Sequence, residues 1–121
     1  MKYLLSIMTL LPLILPAPVL GGCSDAVTNG FDCYRYALRA ARDSSWPTIR
    51  DYAERSRLAA EDAQNSAEEC ACYEAEVEFQ SAYRHARDAV KAETLEKSKE
   101  HLQLLLRAAK AGTEAAESCG N

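Results

Sequence analysis

The stretch AEVEFQSAYRHARDAV, residues 75–90, decides the fold class of this chain. Its apolar residues Ala75, Phe79, Ala82, Tyr83, Ala86 and Val90 recur at three- and four-residue steps, which is the repeat of one helix face. Glu68, Glu69 and Glu74 stand toward the start, and Arg84, Arg87 and Lys91 toward the end, the order a helix dipole favours. Ser66, followed three residues later by Glu69, fits a capping box, so a helix is predicted to open there after a break at residues 64–66.

Working outward, the same pattern repeats. A first helix is predicted from Asp32, with Tyr34, Ala37, Leu38 and Ala41 on one face, ending at Asp43-Ser44-Ser45. Pro47 is tolerated in the first turn of a second helix, whose inward stripe is Ile49, Tyr52, Ser56, Ala59 and Ala63. A turn at residues 92–94 leads to a last helix with Leu95, Leu102, Leu105, Ala109 and Ala116 inward, capped by Gly120. Four helices with short connections imply antiparallel neighbours. The predicted fold is all-α, a small up-down antiparallel four-helix bundle made of two helical hairpins. A long alanine-rich hairpin with a loose first helix is the alternative.

The N-terminus carries an address. Lys2 precedes a nearly continuous apolar run from Tyr3 to Leu15, broken by Pro16 and Pro18 and followed by Leu20-Gly21-Gly22-Cys23. This is the layout of a secretory signal, and its prolines argue against a spanning helix. Leu20-Gly21-Gly22-Cys23 resembles the lipobox of bacterial lipoprotein precursors. The resemblance implies removal of residues 1–22 and acylation of Cys23 as the new N-terminus, with two or three acyl chains holding the protein to a membrane. Ser24 after that cysteine points, by analogy with enteric sorting, to the outer membrane. The alternative is a plain secreted protein cut near Gly22, with Cys23 an ordinary thiol. The organisation expected is a signal over 1–22, a short tether over 23–31 and the bundle over 32–121.

The 121-residue chain has a formal net charge of −4, and the 99 residues after Gly22 carry −5, since only Lys2 is lost. Such an acidic domain is a poor nucleic-acid binder, which needs clustered Lys and Arg. Met1 and Met8 are the only methionines, so the mature chain offers no thioether copper ligands. Cys-x-x-Cys-His is absent, which excludes covalent c-type haem, and no nucleophile triad or phosphate loop is assembled. No catalytic residue and no cofactor are expected.

With so much alanine the core is thin at about 25 cal/mol per Å² of buried apolar surface, so the domain needs staples. Cys33, Cys70, Cys72 and Cys119 remain if Cys23 carries lipid, and four cysteines in an exported domain imply two disulfides. Cys70 and Cys72 point apart on a helix and should not pair. Helix levels place all four thiols at one end of the bundle. The favoured pairing is Cys33–Cys70 with Cys72–Cys119, and the alternative is Cys33–Cys72 with Cys70–Cys119. Each favoured disulfide closes one hairpin, and the dipeptides Cys33-Tyr34 and Cys72-Tyr73 hint at an internal duplication. Two other readings compete. One is a four-thiolate zinc site, although Cys-x-Cys spacing is tight for it. In the other, helix one starts at Ser24, Cys23 is a structural thiol level with Cys70, and Cys33 is the odd cysteine; Gly30 argues against so long a helix.

Other candidates carry less chemistry. Glu61, Asp62, Glu68, Glu69, Glu74, Glu76 and Glu78 form a run without Lys or Arg, either a solvated surface, a docking face for a basic partner or a weak divalent-cation site. No calcium-type loop accompanies them. His85 and His101 lie at similar distances from the turn at 92–94 and can approach each other, but no Glu-x-x-His motif supports a metal site. Trp46 is flanked by Arg42 and Arg50, the composition of an interaction hot spot or a plug for the top of the bundle. The function expected is non-catalytic: a membrane-anchored helical module presenting its faces to an envelope protein partner. Metal handling and a soluble, inhibitor-like secreted role are the alternatives.

Overall fold

A computed structural model describes residues 23–119. Four helices follow in order: α1 Ser24–Arg42, α2 Trp46–Glu69, α3 Tyr73–Lys91 and α4 Leu95–Cys119. Each packs on two neighbours around a square, α1 on α2 and α4, α3 on α2 and α4, while the diagonal pairs barely touch. This is the expected antiparallel bundle of two hairpins. The signal segment 1–22, including Leu20, Gly21 and Gly22, and the Gly120 cap lie outside the described residues.

The turns at 43–45 and 92–94 fall where predicted, and Pro47 sits in the first turn of α2, where its missing N–H costs nothing. Thr94 opens α4 by accepting the Lys97 N–H at 3.1 Å. Two boundaries differ from expectation. Residues 64–66 do not break the chain: α2 runs through the capping-box serine to Glu69, because Ala63 and Ala67 are buried and Asn29 Nδ2 donates to Ser66 Oγ at 3.2 Å. The real break is Cys70-Ala71-Cys72, where Ala71 takes φ 58°, a left-handed conformation uncommon outside glycine.

The second difference is at the N-terminus. There is no tether over 23–31, and α1 opens at Ser24 rather than Asp32. Gly30 is buried mid-helix, and a Cβ there would lie 2.4 Å from Thr113 Oγ1 and 2.6 Å from Phe79 Cζ. A Cβ at Gly112 would meet the same ring at 2.6 Å. Phe79, the largest fully buried side chain, therefore lies against two bare stretches of helix backbone. Glycine costs a helix about 1 kcal/mol relative to alanine. Burying a phenylalanine returns about 1.5–3 kcal/mol, so the helix continues.

The two hairpins are copies of one plan. Shifting residue numbers by 49 carries α1 onto α3 at both ends, 24 to 73 and 42 to 91, and the start of α2 onto that of α4, 46 to 95. The buried positions coincide throughout. Ala26, Gly30, Cys33, Ala37 and Ala40 of α1 become Ala75, Phe79, Ala82, Ala86 and Ala89 of α3. The seven buried residues of α2, from Ile49 to Ala67, become the seven of α4, from Ser98 to Ala116. Tyr34-Arg35 matches Tyr83-Arg84, and Cys23 and Cys70 match Cys72 and Cys119. The duplication is real, but its register is Cys23 on Cys72, not Cys33 on Cys72.

Candidate functional site

The cysteines resolve first. Cys23 is bonded to Cys70 and Cys72 to Cys119, with Cα–Cα distances of 5.3 and 6.0 Å, each closing one hairpin at its open end. Of the favoured pairing only Cys72–Cys119 is found; neither Cys33–Cys70 nor the alternative set forms. Once α1 reaches back to Ser24, Cys33 stands nine residues into the helix, about 14 Å from its start at 1.5 Å per residue. It is a buried free thiol in contact with Ser56 Oγ at 3.3 Å, while that hydroxyl donates to the Cys33 carbonyl at 2.8 Å. Burial pushes its pKa up to about 11, with the Ser56 contact a smaller opposing effect. Such a thiol is a packing residue, not a nucleophile.

The four-thiolate alternative falls with this pairing, because Cys70, Cys72 and Cys119 are bonded in disulfides and Cys33 is buried farther along α1. Cys23, the residue expected to carry lipid, has its Sγ bonded to Cys70.

The acidic run does not make one face. Asp62 borders a groove with Asn29, Tyr36 and Arg55 between α1 and α2, whereas Glu61 borders another with Gln80, Arg84 and Arg87 between α2 and α3. Glu68, Glu69 and Glu74 are exposed around the disulfide end. Trp46 is half-buried against the core at the turn end, and the Arg50 guanidinium lies over its ring at 4.2 Å. It is both plug and stacking platform. Arg42 is exposed along a shallow groove with Arg35, Leu38 and Arg39.

The densest arrangement of recognition chemistry runs from there along the outside of α1 and α2. The rings of Tyr36 and Tyr52 stack across the two helices at 6.3 Å. Arg39 lies over Tyr52 at 4.7 Å and donates to its hydroxyl at 2.9 Å, and Arg55 covers the same ring at 5.3 Å. Arg35 stands within 6 Å of both Phe31 and Tyr36, and Phe31 is 55% exposed. Helical periodicity builds this ladder: 31, 35 and 39 are successive four-residue steps on α1, and 52 and 55 share a face of α2. Each stack contributes about 0.5–1 kcal/mol when exposed, and holds an extended guanidinium ready to meet an acceptor. Asp32 and Asp51 ion-pair with Arg35 and Arg55 at 2.7 and 3.2 Å.

Tyr52, expected in the buried stripe, is only partly buried, and the face it shares with Arg39 and Arg55 is not among the expected sites. The available signal was compositional: every basic residue between 23 and 70 is arginine, whereas 72–119 mixes arginine with lysine.

His85 and His101 do meet, with ring centroids 6.4 Å apart. Desolvation and the neighbouring His101 together hold the His85 pKa below its ordinary value, aided by Arg84 and opposed by Asp88. Among the described residues no helix is long and apolar enough to cross a membrane. Comparison with family models, curated proteins and solved structures finds no match.

Proposed function

We propose that this chain is a non-catalytic, exported helical module that docks an acidic segment of a partner protein on the arginine and aromatic ladder of α1 and α2. One observation carries the reading: Arg35, Arg39 and Arg55 are stacked on Phe31, Tyr36 and Tyr52 across one solvent face of a protein whose net charge is negative. Tyr, Trp and Arg are the residues that dominate binding hot spots, because they bring large contact area and fixed hydrogen-bond donors at low entropic cost. Arg35, Arg39, Arg42 and Arg55 outnumber the carboxylates paired with them, Asp32 and Asp51, and such an excess of positive charge helps to orient an oppositely charged partner.

Export is supported by the signal-like N-terminus and by two disulfides in a small domain, a combination suited to an oxidising compartment. The Cys23–Cys70 bond favours a soluble protein over a lipid-anchored one. Intact mass of the native protein decides this point: loss of 22 residues and four hydrogens fits the soluble form, and added acyl mass on Cys23 refutes it.

The docking face is tested by placing a photo-crosslinking residue at position 55, and separately at 104, its counterpart in the second hairpin. Adducts with an acidic partner are expected from 55 alone, and should be lost in Arg39→Glu and at high salt. Equal adducts from both positions, or adducts only between copies of this chain, would overturn the assignment.

A further inference from the structure

We propose that His85, Asp88 and His101 form a binding site for one divalent transition-metal ion, with Zn²⁺ the ion that suits it best. His85 and Asp88 lie one turn apart on α3, and His101 faces them from α4; one ligand atom from each comes within 4.8 Å of the other two. The two imidazole rings are nearly parallel, 29° apart. Nδ1 of each ring is buried and makes no hydrogen bond. Two imidazole nitrogens and one carboxylate are a donor set used by zinc when a further coordination position stays open to solvent. All three residues are partly exposed, so an ion can reach them.

The duplication strengthens the inference. The counterparts of these residues are Tyr36, Arg39 and Tyr52, where the rings stack at nearly the same distance and the Arg39 guanidinium bonds the Tyr52 hydroxyl. In the first hairpin that position satisfies itself. In the second, Tyr36, Arg39 and Tyr52 are answered by His85, Asp88 and His101, and both rings carry an unpartnered buried nitrogen. Tetrahedral zinc at about 2.0–2.1 Å from each ligand needs donors ~3.3 Å apart, so closure of the three side chains by up to roughly 1.5 Å completes the site. Among the described residues Asp88 ion-pairs with Arg87, at 3.4 Å, a contact weak enough to yield. Arg84 and Arg87 nearby limit affinity, which places the expected dissociation constant in the micromolar range.

The test uses tag-free, oxidised protein titrated with Zn²⁺ by calorimetry and with Co²⁺ by visible absorption. One equivalent of Zn²⁺ should bind, and Co²⁺ should give a d–d band without a thiolate charge-transfer band. Zn²⁺ should shift the imidazole resonances of both histidines. Asp88→Asn should weaken binding at least tenfold. The pair His85→Tyr and His101→Tyr, which installs the residues of the first hairpin and should therefore keep the fold, should abolish binding. Failure of both metals to bind wild-type protein below 1 mM overturns the proposal. So does Zn²⁺ binding that survives in the tyrosine pair, since the exposed acids would then be the ligands.

Discussion

Residue 30 and residue 79 occupy the same place in two copies of one hairpin; one is glycine and the other phenylalanine. Had both been large, the bundle axis would be overfilled, and had both been small it would be hollow. Similar exchanges recur along the core, with Ile49 against Ser98 and Ser56 against Leu105. The two halves keep one backbone plan while dividing the core volume unequally between them. Their outer faces diverge as well, toward an arginine and tyrosine ladder in the first and a histidine and aspartate cluster in the second. The alanine pairs 26/75, 37/86, 40/89, 59/108, 60/109 and 67/116 are the shared scaffold, at positions where close helix approach favours a small side chain.

The comparison breaks most completely at the disulfides. Each closes a loop of 47 residues, and the loop-entropy model assigns about 4 kcal/mol to each. Reducing both should cost about 8 kcal/mol, comparable to the whole stability of a small domain, and unfold the protein as read by circular dichroism. Removing either pair alone should cost the same within ~1 kcal/mol. A marked inequality in urea midpoints would show that the halves are not energetically equivalent.

Next in size is the point of greatest asymmetry. Phe79→Ala should destabilise by about 3–5 kcal/mol in urea titrations, because the backbones around Gly30 and Gly112 cannot collapse into the space. Ala82→Gly, one turn along the same helix, should cost only about 1 kcal/mol.

Cys33 sharpens the contrast with its counterpart Ala82. Its thiol ionises near 9.0 when unfolded and near 11 when folded. The unfolded state therefore binds fewer protons between these values. The corresponding stability is fully present below pH 9 and is lost as pH rises toward 11, at up to about 1.4 kcal/mol per unit. Urea unfolding at pH 8.5, 9.5 and 10.5 should show this slope in the wild type and lack it in Cys33→Ala. The native thiol should also resist modification until the protein unfolds.

The smallest effect concerns the end of α2. Glu68 and Glu69 sit in its last turn with no basic residue beside them, the unfavourable order for a helix dipole. Glu68→Lys should stabilise by roughly 0.3–1 kcal/mol at low salt and by less at high salt.

Four helices, two of the three connections and the gathering of Cys70, Cys72 and Cys119 at one end were all legible from local pattern, whereas Cys33 lies mid-helix. The errors came where a residue's role depends on a partner far along the chain. Gly30 reads as a helix breaker unless Phe79 is known to lie on it, and from that misreading follow the tether over 23–31 and the Cys33 pairing. Ser66 and Glu69 make a good capping box by themselves; Asn29 and the buried flanking alanines override it. The duplication was visible in principle, but alanine matches carry little information. The Cys-Tyr dipeptides drew the eye to a shift of 39 rather than 49. The ladder went unread because stacking of arginine on tyrosine requires knowing which two helices lie side by side.

The one-residue link at Ala71 has a mechanical consequence. With both disulfides formed, tension applied at residues 23 and 119 runs from Cys23 across to Cys70, through Ala71 to Cys72, and across to Cys119. The load path bypasses both hairpins, so a chain segment that could extend to roughly 340 Å yields only a few residue lengths before covalent bonds bear the force. A protease cutting once within either ring likewise releases no fragment. Unfolded but oxidised, the molecule is two loops joined by a short hinge, and it is already halfway to its own topology.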